Sequence, residues 1–456
     1  MRLMVLLVIG ILLFGCITPS APGEGPQAEA PPGGEPPGQG TSIEAPGLPE
    51  YIPGELIAPS DLVYLGAFRL PGESGGSNWL WSGYAATYYP DGDAAGADDG
   101  FPGSIFAVGH DHHQMVSEIS IPVPVISDNI EELNTAETLQ PFADITGGMF
   151  GELEIPRAGL QYLPAQDGQD SGKLYFSWGQ HLEGENNPTH GWSELDLSNP
   201  RTAGPWYVDG WSSYTTNDYM FEIPQEWASA NTPGLRLATG RFRDGLWSGR
   251  GPALYAIGPY NEGNPPEPGS TLEQVTPLLL YGEEGVDSLV IVSDESQAMD
   301  RFAESDEWSG GAWLTSGEKS AMILVGTKGM GNTWYGFSNG VVWPTSGDPG
   351  EAYPEVPDWP HDGRGWWSES IQAQILFFDP AGLASVARGE METWEPQPYA
   401  VMSIDNVLFE PGYDYEMDKM YSLGAAAYDQ ENGLLYIFER LADADGNSIV
   451  HAWKVG

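Results

Sequence analysis

One short unit recurs along the chain and restricts its fold more than any single motif does. An aromatic strand ends in a turn, a second strand opens with Gly-x-Leu/Ile-Tyr/Phe, and a third strand ends in polar residues. One copy reads Ala86-Thr87-Tyr88-Tyr89-Pro90, then Gly103-Ser104-Ile105-Phe106, then Val116-Ser117-Glu118-Ile119-Ser120. A second reads Gly159-Leu160-Gln161-Tyr162-Leu163-Pro164, Gly172-Lys173-Leu174-Tyr175 and Trp192-Ser193-Glu194-Leu195-Asp196-Leu197. The last reads Ala425-Ala426-Ala427-Tyr428-Asp429, Gly433-Leu434-Leu435-Tyr436 and Ile449 to Val455. Less regular copies surround Leu235 to Ile257 and Met322 to Phe378. Short β-rich runs between Gly, Pro, Asp and Asn clusters read as strands, and the 60 Gly and 39 Pro supply the turns. Helical periodicity is confined to Gln225 to Ala230 and to Pro380 to Arg388, where Asp379 is an N-cap followed by Pro. The chain is all-β.

Repeated three- or four-stranded antiparallel units of this kind resemble the blades of a β-propeller. Five copies are evident over the body, and long insertions leave the expectation at five to seven blades. The strand from Leu62 to Leu70 precedes the first full copy, and the last copy lacks a strand. Pairing the two joins the ends of the ring and removes exposed edges. A pair of β-sandwiches is the competing architecture, but it does not account for the recurrent unit.

Leu3 to Phe14 is an apolar run of secretory length behind Arg2, too short to be a stable membrane span. Leu13-Phe14-Gly15-Cys16 resembles the lipobox of a lipoprotein signal, which implies that residues 1–16 form the signal and that the sole cysteine, Cys16, carries a lipid. Residues 17–55 are rich in Pro, Gly and Glu with little to bury, and are expected to form a disordered tether. The propeller is expected over residues 56–456, at the cell surface or in the periplasm, with lipid as its only membrane attachment.

Acidic side chains number 65 against 17 basic ones, a formal net charge of -48. That balance excludes a nucleic-acid partner, which needs clustered Lys and Arg, and disfavours adsorption to anionic headgroups. A solvated acidic surface suits a saline habitat. The 17 Trp and 21 Tyr separate the chain from disordered acidic sequences.

Against this background the scarce basic and imidazole groups recur in loops beside Trp, Tyr and Gly. Three of seven histidines lie in Gly109-His110-Asp111-His112-His113-Gln114, where an extended chain would turn His110 and His112 to one side. His181 and His190 occupy the equivalent loop of the next copy. Arg241, Arg243 and Arg250 follow in the third, then Lys328 with Trp334 and Tyr335, then Arg364 with Trp366 and Trp367. Converging at one opening, they would make a cationic, aromatic-floored pocket, with His112, His113, His181, His190 and Arg241 as its reactive members. Local pairing of each Arg with a carboxylate is the competing outcome. Asp91, Asp93, Asp98 and Asp99 surround glycines as hard cations require, so calcium is the expected metal. Asp443 to Asn447 reads instead as a hairpin turn. No phosphate loop or nucleophile elbow is present, and no nucleotide cofactor is expected.

Two functions fit. One is a carbohydrate-active propeller in which Trp and Tyr stack on sugar rings and Arg clamps a uronate or sulfate. Its residue types resemble those of propeller polysaccharide lyases, which implies Arg neutralising a uronate and His or Tyr taking the adjacent proton. The other is a non-catalytic propeller for a surface-protein partner or a cell-surface layer.

Overall fold

Each of the five copies folds into an antiparallel sheet, and the sheets stand around one axis as a five-bladed β-propeller. The computed structural model describes residues 54–93, 96–166, 168–181, 186–241, 247–260, 265–284, 291–345, 352–417 and 419–456. The lipobox, Cys16 and nearly all of the expected tether lie outside them. From the axis outward, blade I comprises Ala86–Tyr89, Ser104–Val108, Val116–Ser120 and Thr138–Ala143. Blade II comprises Pro156–Leu163, Lys173–Gln180, His190–Ser193 and Thr202–Val208. Blade III comprises Tyr219–Glu222, Leu237–Arg241, Ala253–Ile257 and Thr276–Leu279. Blade IV comprises Glu307–Ser316, Lys319–Phe337, Arg364–Phe378 and Ala400–Ser403. Glu55–Leu56 adds to blade IV in parallel beside Lys319 and Ser320, straddling the expected boundary of the body.

Blade V closes the ring. Leu423–Asp429, Leu434–Glu439 and Ile449–Val455 come from the end of the chain, and Leu62–Arg69 supplies the outermost strand. Leu62 pairs with Val455 and Arg69 with Ile449, so the blade that lacks a strand in the sequence is completed by the first one. Side chains clasp this seam. Tyr64 Oη lies 2.9 Å from His451 Nδ1, and His451 Nε2 lies 2.9 Å from Glu439 Oε2, spanning three adjacent strands.

Strands sandwiched between two blades are buried on both faces. Ser104–Val108, Ala253–Ile257 and Leu434–Glu439 are therefore wholly buried and read as continuous apolar runs rather than as alternation. An apolar layer fills each of the five interfaces. Phe106, Leu160 and Phe176 lie between blades I and II, and Tyr175, Trp206 and Tyr255 between II and III. Phe221, Trp308 and Met322 lie between III and IV, Ile323, Ile375 and Trp453 between IV and V, and Phe68, Ile105 and Tyr436 between V and I. Two short helices, Gln225–Asn231 and Pro380–Ala387, cover the third layer, the second capped by Asp379 Oδ1 at 2.8 Å from Ala381 N.

Only small residues fit where the inner strands meet. A Cβ on Gly424 would lie 1.9 Å from the Gly83 carbonyl oxygen, and one on Gly310 would lie 2.5 Å from that of Gly424. The cavity left at mid-axis, among Ala85, Ala86, Gly310, Gly311, Ala425 and Ala426, is about 10 Å³, at most one water. A ligand on the axis must therefore sit at one end.

This close approach fixes an expected outcome. Gly424→Ala should destabilise the fold by about 2–3 kcal/mol in thermal or urea unfolding, because the opposing group is backbone. Gly72→Ala, with nothing within 4 Å, should change it by less than about 0.5 kcal/mol.

Candidate functional site

The five inner strands run in the same sense, so the residues that begin them gather at one end of the axis. These are Tyr84 in blade I, Arg157 in II, Asp218 in III, Glu307 in IV and Tyr421 in V, all buried or nearly so. Burial alone would lower the Arg157 pKa. The neighbouring Tyr84, Glu307, Asp218 and Tyr421 outweigh it, so the guanidinium is held charged more firmly than usual. Above this ring opens a cavity of about 490 Å³, lined by Trp81, Tyr84, His110, Asp111, His112, Glu154, Ile155, Arg157, Met417, Met420, Tyr421, Arg440 and Leu441.

Two arginines flank one phenol on its floor. The Arg440 guanidinium lies 3.7 Å from the Tyr84 ring centre and donates through Nη2 to Tyr84 Oη, and the Arg157 guanidinium lies 4.6 Å from the same ring. Arg157 Nη1 donates to Pro156 O at 3.0 Å. Arg157 Nε and Arg440 Nε and Nη1 are buried with no hydrogen-bond partner among the described residues. Unspent donors on buried cations are uncommon in folded proteins, where such groups are nearly always satisfied.

The rim is conformationally strained. Five described non-glycine residues have left-handed backbones, and Trp81 (φ 49°) and Leu441 (φ 49°) both line the cavity. A third, Gln114 (φ 52°), ends the histidine loop. Bulky residues occupy this region at a cost that surrounding structure must offset, and such positions cluster at ligand sites.

The histidine loop departs from the extended geometry expected of it. Asp111–His113 forms one turn of 3-10 helix, in which residues three apart eclipse. His110 consequently stacks on His113, centroids 4.4 Å apart, and also meets Trp81 at 5.7 Å. Burial, then the imidazoles of His113 and His112, lower the His110 pKa despite Asp111 at 3.0 Å, so it is neutral near pH 7. His112 lines the cavity, whereas His113 Nδ1 lies 2.9 Å from Ser77 Oγ, outside it.

His181 and Arg241 lie behind the pocket. Arg241 is 1% exposed; it donates to Ser213 O (3.1 Å), Asn217 Oδ1 (2.9 Å) and His181 Nδ1 (2.9 Å), with Asp218 Oδ2 at 3.4 Å and the Tyr214 ring at 4.7 Å. This is local pairing with an internal carboxylate. Accepting from Arg241, His181 Nδ1 carries no proton. Burial, with Arg241 and Arg157, drives the His181 pKa down to about 2. Arg241 thus braces the polar ring through Asp218, with His181 bonded behind it.

The other expected members do not join them. His190 is buried between Thr189 Oγ1 (2.9 Å) and Thr239 Oγ1 (2.8 Å), its pKa lowered to about 3 by burial. Lys328 is held by Asp306 Oδ1 at 2.8 Å beside a separate cavity of about 470 Å³. Trp334, Tyr335, Arg364, Trp366 and Trp367 lie on an arm of blade IV, and Arg250 does not line the cavity. Arg243 lies outside the described residues. Asp99 Oδ1 accepts from Phe101 N at 2.9 Å, and Asp91, Asp93 and Asp98 belong to the same loop, of which residues 94 and 95 are not described. No group of three or more His, Cys, Asp or Glu among the described residues is placed to hold a metal.

Sequence reasoning passed over Tyr84, Arg157, Tyr421 and Arg440. A signal was available: Tyr84-Ala85-Ala86 and Arg157-Ala158-Gly159 place a large polar residue before small ones, as does Tyr421 before Gly424-Ala425.

Two outcomes follow. Arg241→Ala should cost about 3–5 kcal/mol in chemical denaturation, since Asp218 remains as a buried charge. His190 stays neutral when folded but takes a proton in the unfolded chain below pH about 6.5, so its contribution is full above that pH and is lost as pH falls toward about 3. Unfolding at pH 6.5 and 4.5 should show wild type losing about 2 kcal/mol more than His190→Gln. No protein-family model and no curated protein sequence matches the chain.

Proposed function

We propose that the channel-mouth pocket binds an acidic polysaccharide and cleaves it by β-elimination. The observation that carries this reading is the pair of arginines, Arg157 and Arg440, that line a cavity of about 490 Å³ on either side of the Tyr84 ring. A carboxylate is planar and accepts two parallel N–H bonds, which matches a guanidinium. Trp81, 37% exposed at the rim, offers a face for a pyranose ring.

The same groups suit the chemistry. Arginines that neutralise a uronate carboxylate acidify the C–H beside it, and an imidazole at the rim, His110 or His112, takes that proton. The carbon–oxygen bond to the leaving sugar then breaks as the ring double bond forms, and the phenol of Tyr84 or Tyr421 gives a proton to the departing oxygen. A lipid on Cys16 and the following segment would hold this pocket at the outer surface of a membrane, where such polymers occur.

Incubation of the protein with acidic and neutral polysaccharides tests the reading. Uronate polymers should yield the absorbance of an unsaturated uronate and retard the protein in affinity electrophoresis, and neutral glycans should do neither. Arg157→Gln and Arg440→Gln should each weaken retardation by roughly tenfold to a hundredfold, the range of a charge-assisted hydrogen bond. Unchanged retardation by acidic glycans in both variants would remove the pocket from consideration.

A further inference from the structure

The second and third strands of blade IV outrun the inner one. Pairing with the inner strand ends at Thr327, but Lys319–Phe337 and Arg364–Phe378 stay paired as far as Phe337 with Arg364, forming an arm. Its two faces differ. On one, Trp367 packs against Tyr413 (5.4 Å) and Tyr415 (6.0 Å), in the segment that continues to Met417, Met420 and Tyr421 of the pocket. That face is occupied by the propeller itself.

The opposite face carries a continuous row. Trp366 lies 5.5 Å from Tyr335, and the Arg364 guanidinium is 5.9 Å from Tyr335 and 4.6 Å from Trp343, which lies 4.9 Å from Tyr353. Backbone bonds from Trp343 N to Tyr335 O (2.8 Å) and from Phe337 N to Val341 O (2.9 Å) fix Trp343 over the arm. Tyr353 is 59% exposed, Arg364 is exposed, and Tyr335, Trp343 and Trp366 are half-buried. In a chain with 65 acidic residues, Arg364 has no carboxylate partner among the described residues.

We infer that this row is a second binding platform, for a distal stretch of the same acidic polysaccharide chain whose reacting unit enters the channel-mouth pocket. The inference rests on the acidic-glycan reading of that pocket. Aromatic faces stack on the apolar faces of successive sugars whatever their charge. A guanidinium held 4.6 Å over the Trp343 ring has donors for a uronate or sulfate, at little further loss of side-chain freedom. The charge complementarity is local: Arg364 is a cation without a carboxylate partner among the described residues, set among aromatics on an anionic protein. The row lies on the face of the arm turned away from the pocket wall, so only a polymer long enough to pass around the arm reaches both sites, whereas a short oligosaccharide fills only the pocket. Two linked contacts raise overall affinity without changing either one.

The test compares full-length protein and its Arg364→Gln and Trp343→Ala variants on a long uronate polymer, a uronate oligosaccharide short enough for the pocket alone, and a neutral polymer. Each variant should bind the long acidic polymer about tenfold more weakly, with oligosaccharide affinity and melting temperature unchanged. Wild-type polymer affinity in both variants overturns the platform and leaves the pocket standing. An equal loss on the short oligosaccharide, or wild-type binding of the neutral polymer as tight as that of the acidic one, also overturns it. Failure of wild type to bind any acidic glycan defeats the pocket reading, and the platform falls with it. Loss of oligosaccharide binding in Arg440→Gln alone keeps the two sites distinguishable.

Discussion

Everything in this molecule depends on the seam of blade V, where the first long strand meets the last. A propeller of sheets has no core unless each blade is covered on both sides, and an unfilled fourth position would expose Ile449–Val455 as a bare edge. Leu62–Arg69 covers it along its whole length. The Tyr64–His451–Glu439 chain then locks register, since a slip of one residue would turn Tyr64 to the other face. With Glu439 ionised, His451 Nε2 holds the proton and Nδ1 accepts from Tyr64. The same carboxylate accepts from Phe409 N (2.9 Å) and Glu410 N (2.8 Å), and Lys419 donates to the Glu410 and Leu441 carbonyls. The bonds that close the ring therefore also anchor the segment bearing Met417, Met420 and Tyr421. Closure and pocket wall share one carboxylate.

The charge distribution has an inside-out character. Of the few cations, Arg157, Arg241, Arg440, Lys173, Lys328 and Lys419 are all buried, so carboxylates outnumber the basic groups still further on the solvated surface. Buried cations are tolerated only with partners, and most have them: Asp218 for Arg241, Asp306 for Lys328, Glu194 for Lys173. Arg157 and Arg440 differ in being balanced partly by aromatic rings and by the field of the axial ring. An anionic ligand approaching such a surface is repelled at long range. That repulsion decays over about 8 Å at physiological ionic strength and about 3 Å at 1 M salt, whereas contacts made inside the pocket are screened far less. A saline setting thus suits an acidic ligand for this acidic protein.

The fold was legible because a propeller repeats its chemistry. Copies such as Gly172-Lys173-Leu174-Tyr175 and Gly433-Leu434-Leu435-Tyr436 fall on second strands of their blades, and Asp379-Pro380 caps the helix assigned to it. The missing strand of the last copy, set beside the spare one at Leu62, indicated closure. Side-chain direction in loops was less legible. Alternation served for strands, but Asp111–His113 turned into a 3-10 helix, and His110 met His113 instead of sharing a side with His112. Scarcity also misled: rare cations drew notice to Arg241 and Lys328, whose rarity reflects burial in ion pairs. Arg157 and Arg440, with no other basic residue within ten positions in sequence, carried no cluster to draw notice.

What places the pocket is the narrowness of the ring. With five blades the inner strands approach to within a glycine's tolerance, as at Gly310 and Gly424, and the axis is filled at mid-depth. Large side chains fit only where the strands begin to diverge, before the small residues. Tyr84, Arg157, Asp218, Glu307 and Tyr421 stand at that point in their blades, and none has room to retreat down the axis. Tyr84, Arg157 and Tyr421 therefore line the mouth, with Asp218 and Glu307 buried beside them. The left-handed backbones of Trp81 and Leu441 then carry bulky side chains over the rim and deepen the opening into a cup. The geometry that closes the channel to passage is thus the geometry that opens a cavity at its mouth.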